Sequence, residues 1–353
     1  MRFLITSLLL LSFSLYISYE DIENISVYFV ICTLPFYIIF NLGSLVRTKY
    51  NKNDVIIFGS LAFFVFYCVN RNIAVDADFL YGVFWWAVLL MVYPIKNNVF
   101  LVKVFPVFIY ISLIIIIIDT VYRLSGQAEN TYGFYSFKYG LIGVDSNFTA
   151  LFLLLVIASY DVVYEKNKSK IIYILMLFLL ILTFSRAAML AYVIYFLIYK
   201  INLKSKIVLL FATPIAIIIL LLSNFAVYDQ SGESKLDILS NYMDFFLNSS
   251  WIHILFGYGL GQVKVGIYNP HLLVLQLAIG YGLIGLLLYI VPFVCLFRAE
   301  KKLLKAVFPY FIASFSVAPI GLGVLSLVIY LFYCNRDAFF EKESAISRIK
   351  GQY

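Results

Sequence analysis

Long apolar runs broken by short polar joints recur from one end of this chain to the other. Runs near the ~20 residues needed to cross ~30 Å of hydrocarbon predict membrane-spanning helices, because in lipid a helix satisfies its own backbone groups. Placing a boundary at each polar break gives twelve candidate spans, at 3–19, 25–45, 55–69, 79–93, 99–118, 147–163, 171–185, 186–200, 206–223, 271–297, 306–318 and 320–334. The expected fold is therefore all-α, a polytopic integral membrane protein with about 12 transmembrane helices in one domain over residues 1–353. Two joints, 119–146 and 224–270, are longer and are expected to form larger loops on one face. Within the second, Leu236, Leu239, Met243 and Phe246 recur at helical spacing beside polar neighbours, which predicts a short amphipathic helix lying on the membrane surface.

Composition agrees: 63% of residues are hydrophobic and 13% charged, whereas soluble globular domains carry roughly 25% charged residues. A soluble domain beyond the loops is excluded. The net charge of +7 matters through its distribution. With the N-terminus on the cytoplasmic side, 20 of the 26 Lys and Arg fall in cytoplasmic joints, and six (Arg71, Arg123, Lys138, Arg186, Lys235 and Lys264) in the others. The positive-inside rule then places both termini in the cytoplasm.

The same rule divides the stretch from Ile171 to Tyr199. As one helix its 29 residues would rise about 43 Å and put the basic joints Lys166–Lys170 and Lys200–Lys206 on opposite faces. Two passes return both joints to one face and put Ser185 and Arg186 at the outer tip of a hairpin. Residues 306–334 read alike, with Ala318-Pro319 as the outer turn. The sequence Ser18-Tyr19-Glu20-Asp21 after the first apolar run offers no small-x-small cleavage site, so an uncleaved first span is expected. Cys32, Cys68, Cys295 and Cys334 are scattered, without a CxxC, and read as small core residues.

Candidate chemistry starts at Arg186, in Leu182-Thr183-Phe184-Ser185-Arg186-Ala187-Ala188. A charge near hydrocarbon costs at least ~2.5 kcal/mol and normally faces a wet or protein-lined cavity, which makes Arg186 a candidate anion ligand. The first outer joint holds Arg123, Lys138, Asp145 and the aromatics Tyr122, Tyr132, Phe134, Tyr135, Phe137 and Tyr139. Such rings either sit at the membrane interface or stack on sugar faces. The second holds Asp229, Glu233, Asp237, Asp244, Trp251, His253 and Lys264, and His271 opens the next apolar run. An imidazole titrating near neutrality suits proton transfer there. Gly257-Tyr258-Gly259-Leu260-Gly261 has the letters of a dinucleotide loop without the surrounding parallel-sheet unit. Glu20-Asp21-Ile22-Glu23 and Asp76-Ala77-Asp78 read as solvated charges before metal ligands. With no Ser-His-Asp spacing, histidine metal motif or nucleic-acid module, no metal, cofactor or nucleic-acid partner is expected.

Three segments, taken in order, resemble the bacterial O-antigen polymerase and O-antigen ligase superfamily. They are Gly143-Val144-Asp145-Ser146-Asn147-Phe148-Thr149-Ala150, the Arg186 segment, and Leu255-Phe256-Gly257-Tyr258-Gly259-Leu260-Gly261 followed by Pro270-His271 and Gly280-Tyr281-Gly282-Leu283-Ile284-Gly285. The resemblance covers about residues 140–290. It departs at Leu272, where the family usually has Asn or Ser after the histidine. It implies a metal-independent glycosyltransferase of the bacterial inner membrane, acting on its periplasmic side without a cofactor. Its substrate would be an undecaprenyl-pyrophosphate-linked oligosaccharide, its surroundings membrane lipids, and its partners the chain-length regulator and flippase of the same pathway. In the roles so implied, Arg186 and His271 are catalytic, and Arg123, Lys138, Asp145, Asn147 and Lys264 bind substrate. The short, Tyr-, Phe- and Ile-rich chain with its late outer loop favours polymerase over ligase. A lipid-linked oligosaccharide flippase is the alternative from another class, and it would be expected to show matched internal repeats, which this sequence lacks.

Overall fold

The computed structural model describes residues 25–43, 50–71, 77–96, 99–125, 137, 140, 146–165, 168–200, 230–259, 273–315 and 323–341. Among them all regular structure is helical and there is no strand. In chain order the helices are α1 (Ile25–Phe40), α2 (Lys52–Arg71), α3 (Ala77–Val92), α4 (Val99–Ser125), α5 (Ser146–Val163), α6 (Lys170–Leu182) and α7 (Arg186–Lys200). Then follow α8 (Gln230–Leu247), α9 (Trp251–Phe256), α10 (Leu273–Ala299), α11 (Lys301–Ser314) and α12 (Gly323–Ile329), which runs on as wider π turns over Tyr330–Cys334 and Asp337–Glu341.

Four helices, α2, α4, α5 and α10, are long and apolar enough to cross a membrane by length and composition. Others are shorter: the 13 residues of α6 rise only about 20 Å. The chain is thus an all-helical protein of membrane character, but twelve full-length spans are not described, and the candidate spans at 3–19 and 206–223 lie outside the described residues.

Which helices form the centre follows from their apolar pattern. A helix that is hydrophobic all round must be covered all round. This holds for α5, buried from Thr149 to Val162, and for residues 324–335, buried throughout. By contrast α6 is two-faced: Met176, Leu179 and Leu180 turn inward, while Ile171, Ile174, Phe178 and Ile181 form an exposed apolar stripe. Such a stripe is stable only against lipid or another apolar surface.

The stretch 171–199 does break where its charges require. Thr183 caps α6, Phe184 takes φ 52°, and α7 starts at Arg186. A positive φ is costly for a bulky side chain but reverses the chain in a single step. The two helices return to the same end of the bundle, since Lys168 before α6 and Lys200 at the close of α7 both reach Asp161 near the end of α5.

Other expectations are corrected. The run 99–118 continues as helix to Ser125, because Asp119 and Arg123, one turn apart, satisfy each other, so residues 119–125 are helix and not loop. The amphipathic helix exists as α8, but Tyr242 is the residue that buries, against Ile279 of α10, with Phe245 and Phe246 beside it, while Met243 is exposed. Tyr242 thus docks the helix on α10, while Met243, on the apolar face expected to lie on a membrane surface, is exposed; the side chains of Leu236 and Leu239 lie outside the described set. Cys68 and Cys334 are core residues as expected, whereas Cys32 is exposed; all four cysteines are free. Residues 306–334 do hold two helices, and the expected turn at Ala318-Pro319 lies outside the described residues.

Candidate functional site at the Arg186 turn

Among the described residues the most deeply buried cation is Arg123, not Arg186. Its side chain is wholly shielded, as is that of Asp119 one turn earlier, and Nε donates to Asp119 Oδ2 at 2.9 Å. Isolated charges so deep would be expelled, and a buried pair survives only when its remaining donors are also satisfied. The fork does this: Nη1 donates to the Leu182 carbonyl at 3.0 Å and reaches that of Phe137 at 3.5 Å, and Nη2 donates to Thr120 Oγ1 at 3.3 Å. Thr149 of α5 donates to Asp119 Oδ2 at 3.3 Å. Gly140 closes the pocket, since a Cβ there would stand 2.5 Å from Asp119 Oδ1 and 3.0 Å from Arg123 Cδ. The residue read as a substrate contact is therefore occupied in tying α4 to the C-terminus of α6, where its charge also meets the negative end of that helix.

This strap fixes the turn that carries Arg186. Beyond Leu182, Thr183 Oγ1 donates to the Leu180 carbonyl at 2.7 Å and accepts from Ser185 N at 3.3 Å. The Phe184 ring lies 5.8 Å from that of Phe137. Ser185 Oγ then donates to Asn147 Oδ1 at 2.6 Å. Because Asn147 is the second residue of α5 and Ser185 immediately precedes α7, this one bond sets two helix N-termini side by side. Both present positive dipole ends and amide donors, an arrangement that favours an anion. Arg186, the first residue of α7, is exposed there. It is thus at the tip of the hairpin, with no burial cost left to explain. Ser146 Oγ, buried at the start of α5, has no partner among the described residues.

The third segment assembles on α2 and α10. Gly257 and Gly282 have φ 75° and 70°, and Gly282 interrupts α10 with a non-helical residue. Their backbones cross so closely that a Cβ on either would overlap the other strand of chain, standing 2.5 Å from Gly282 N or 2.6 Å from Gly257 N respectively. Only glycine meets both demands. Tyr258 N donates to the Ile279 carbonyl at 2.9 Å and Gly259 N to that of Gly280 at 2.8 Å, while Gly257 N bonds His253 O. With the amides of Gly257, Tyr258 and Gly259 committed, the described part of this glycine run is a packing joint. Arg71 and Tyr67 of α2 lock it: Arg71 donates to the Phe256 and Gly257 carbonyls at 3.1 and 2.7 Å, and Tyr67 Oη reaches those of Phe256 and Tyr281 at 3.1 and 2.9 Å. His253 stacks on Tyr258 at 3.9 Å, with its Nδ1 2.9 Å from Ser250 Oγ.

Of the residues expected to act, the structure brings together Arg123, Asn147 and the Ser185-Arg186 turn. Lys138, Asp145, Lys264 and His271 lie outside the described residues. Sequence reasoning passed over Asp119, Thr149, Tyr67 and Arg71. Asp119 had a signal, the i, i+4 spacing to Arg123 that makes an ion pair on a helix; the others depend on which helices meet. No protein-family model matches the sequence, and no curated protein is detectably similar to it.

Proposed function

We propose that the chain is a membrane glycosyltransferase that polymerises a surface polysaccharide of O-antigen type from undecaprenyl-pyrophosphate-linked repeat units. The observation that supports this reading is the Asn147–Ser185 bond, which sets the N-termini of α5 and α7 and the exposed Arg186 on one anion-attracting surface. The reaction needs such a surface. A sugar hydroxyl of the incoming unit attacks the anomeric carbon of the growing chain, the bond from that carbon to the pyrophosphate oxygen breaks, and undecaprenyl pyrophosphate leaves with the bonding electrons. Arg186 suits this leaving group because its planar fork makes two parallel bonds to phosphate oxygens while neutralising them. The hydroxyl proton passes to a base, the role given to His271, with Lys138, Asp145, Asn147 and Lys264 as substrate contacts. Arg123 acts one step back, as the group that holds the Arg186 turn. This end of the bundle would face the periplasm of the inner membrane, with both termini cytoplasmic and the chain-length regulator and flippase of the pathway as neighbours.

The test is the surface glycan of a deletion strain. Core carrying a single repeat unit is the expected result. Complete loss of attached glycan with lipid-linked polymer accumulating would make the chain a ligase, cytoplasmic accumulation of single units would make it a flippase, and an unchanged ladder would refute all three.

A further inference from the structure

Ser146 stands apart from the other buried serine hydroxyls that make no hydrogen bond. Its side chain is 1% exposed, and Oγ has no partner among the described residues. Ser112 and Ser159 share that condition, but they sit mid-helix, where a hydroxyl can turn to a carbonyl one turn earlier. Ser146 is the first residue of α5, so no earlier turn of its own helix offers it an acceptor. A buried donor left unbonded costs stability, and this one lies beside the paired helix N-termini.

Its direction follows from its neighbours. Successive residues of a helix point about 100° apart. Thr149, three positions on, reaches Asp119 of α4, and Asn147, one position on, reaches Ser185 at the head of α7. Around the helix axis Ser146 falls between these two directions, toward the space between α4 and the Arg186 turn. Asp119, the carboxylate on one side of that space, is already neutralised by Arg123. The Ser146 hydroxyl and the first-turn amides of α5 therefore adjoin, across the 2.6 Å bond from Ser185 to Asn147, the first-turn amides of α7 and the Arg186 side chain. Two helix ends joined by one pair of side chains suit a ligand with two phosphates, one for each end.

We infer that this is a two-part diphosphate site: Arg186 and the N-terminus of α7 hold one phosphate, and Ser146 Oγ donates to the other at the N-terminus of α5. The inference rests on the pyrophosphate-linked substrate proposed above and adds Ser146 as the residue that makes the site prefer a diphosphate to a monophosphate.

The test measures binding of inorganic pyrophosphate and of inorganic phosphate to the full-length purified chain by titration calorimetry. Pyrophosphate is expected to bind about tenfold tighter or more, through the added charge-assisted bonds. Ser146→Ala should weaken it about tenfold, or ~1.4 kcal/mol, and leave phosphate binding unchanged. The same variant should not lower the unfolding midpoint, because no protein partner is lost. Ser159→Ala, the same loss of an unpartnered hydroxyl further along α5, should change neither affinity. Undecaprenyl pyrophosphate should compete with the inorganic ion. The inference is overturned by equal binding of the two anions, by pyrophosphate held as tightly in Ser146→Ala as in the parent, by a lowered midpoint in that variant, or by failure of the lipid to compete. Polymer made by a chain whose pyrophosphate binding ignores Ser146 refutes the two-part site alone, whereas Ser146-dependent binding in a chain that makes no polymer refutes the polymerase alone.

Discussion

Two of the buried carboxylates near helix termini, Asp119 and Asp161, are held in opposite ways. Asp119 pairs with Arg123, whose planar fork is spent on that carboxylate, backbone carbonyls and a hydroxyl with both side chains fully shielded. At the other end Asp161 has Lys168, Lys200 and Lys305, flexible side chains that remain 14 to 28% exposed. One arrangement is closed and specific in shape; the other is redundant and leaves positive charge at the surface. The difference lies in the donors: a planar fork with directional bonds fixes the Arg186 turn in one geometry, whereas flexible ammonium groups share a carboxylate without fixing a shape.

Removing Arg123 should break the comparison most visibly. Arg123→Ala strands Asp119 in the interior and is expected to cost about 3–5 kcal/mol, read as a lower unfolding midpoint in detergent and a lower steady-state level. Replacing both partners by apolar residues should cost less than Arg123→Ala alone, which a double-mutant cycle measures. Next in size is Gly282→Ala, where φ 70° and the backbone of residues 255–257 leave no room for a Cβ; a loss of about 2–3 kcal/mol is expected. Lys168→Ala at the redundant end should lose less than ~1 kcal/mol, because two lysines remain on Asp161 and Lys168 is partly solvated. A loss as large as that of Arg123→Ala would erase the distinction between the ends.

The smallest effect concerns pH. The hydrogen bond from Lys305 holds the Glu165 carboxyl below its ordinary value. A carboxylate with a depressed folded pKa stabilises fully above its unfolded value, near ~4.3, and loses that contribution as pH falls through the folded one. Glu165→Gln should lower stability slightly near neutrality and leave it unchanged at acid pH, flattening the acid limb of the stability profile, measured by unfolding midpoints between acid and neutral pH.

The legible and illegible parts of the molecule divide by range. Helix positions and the break at Ser185 were readable because they follow from apolar run length and from where lysines sit. The two-pass hairpin came from charge alone, and Lys168 and Lys200 do meet. The end of α4 was missed because Asp119 and Arg123 look like loop residues until they are seen to neutralise each other. The role of Arg71 could not be read, since it depends on α2 meeting the turn after α9. The docking of α8 on α10 was illegible for a related reason: period marks an apolar stripe, but the contact of Tyr242 with Ile279 depends on which helices meet.

The most direct measurement reconstitutes the full-length chain in proteoliposomes with undecaprenyl-pyrophosphate-linked repeat units and resolves the products by length. The account predicts a ladder of polymer that persists in the presence of chelator, none with Arg186→Ala in protein that still inserts, and poor recovery with Arg186→Lys because the fork is lost. Undiminished polymer from Arg186→Ala would contradict the assignment of that residue, and no polymer from the unaltered chain would contradict the function itself.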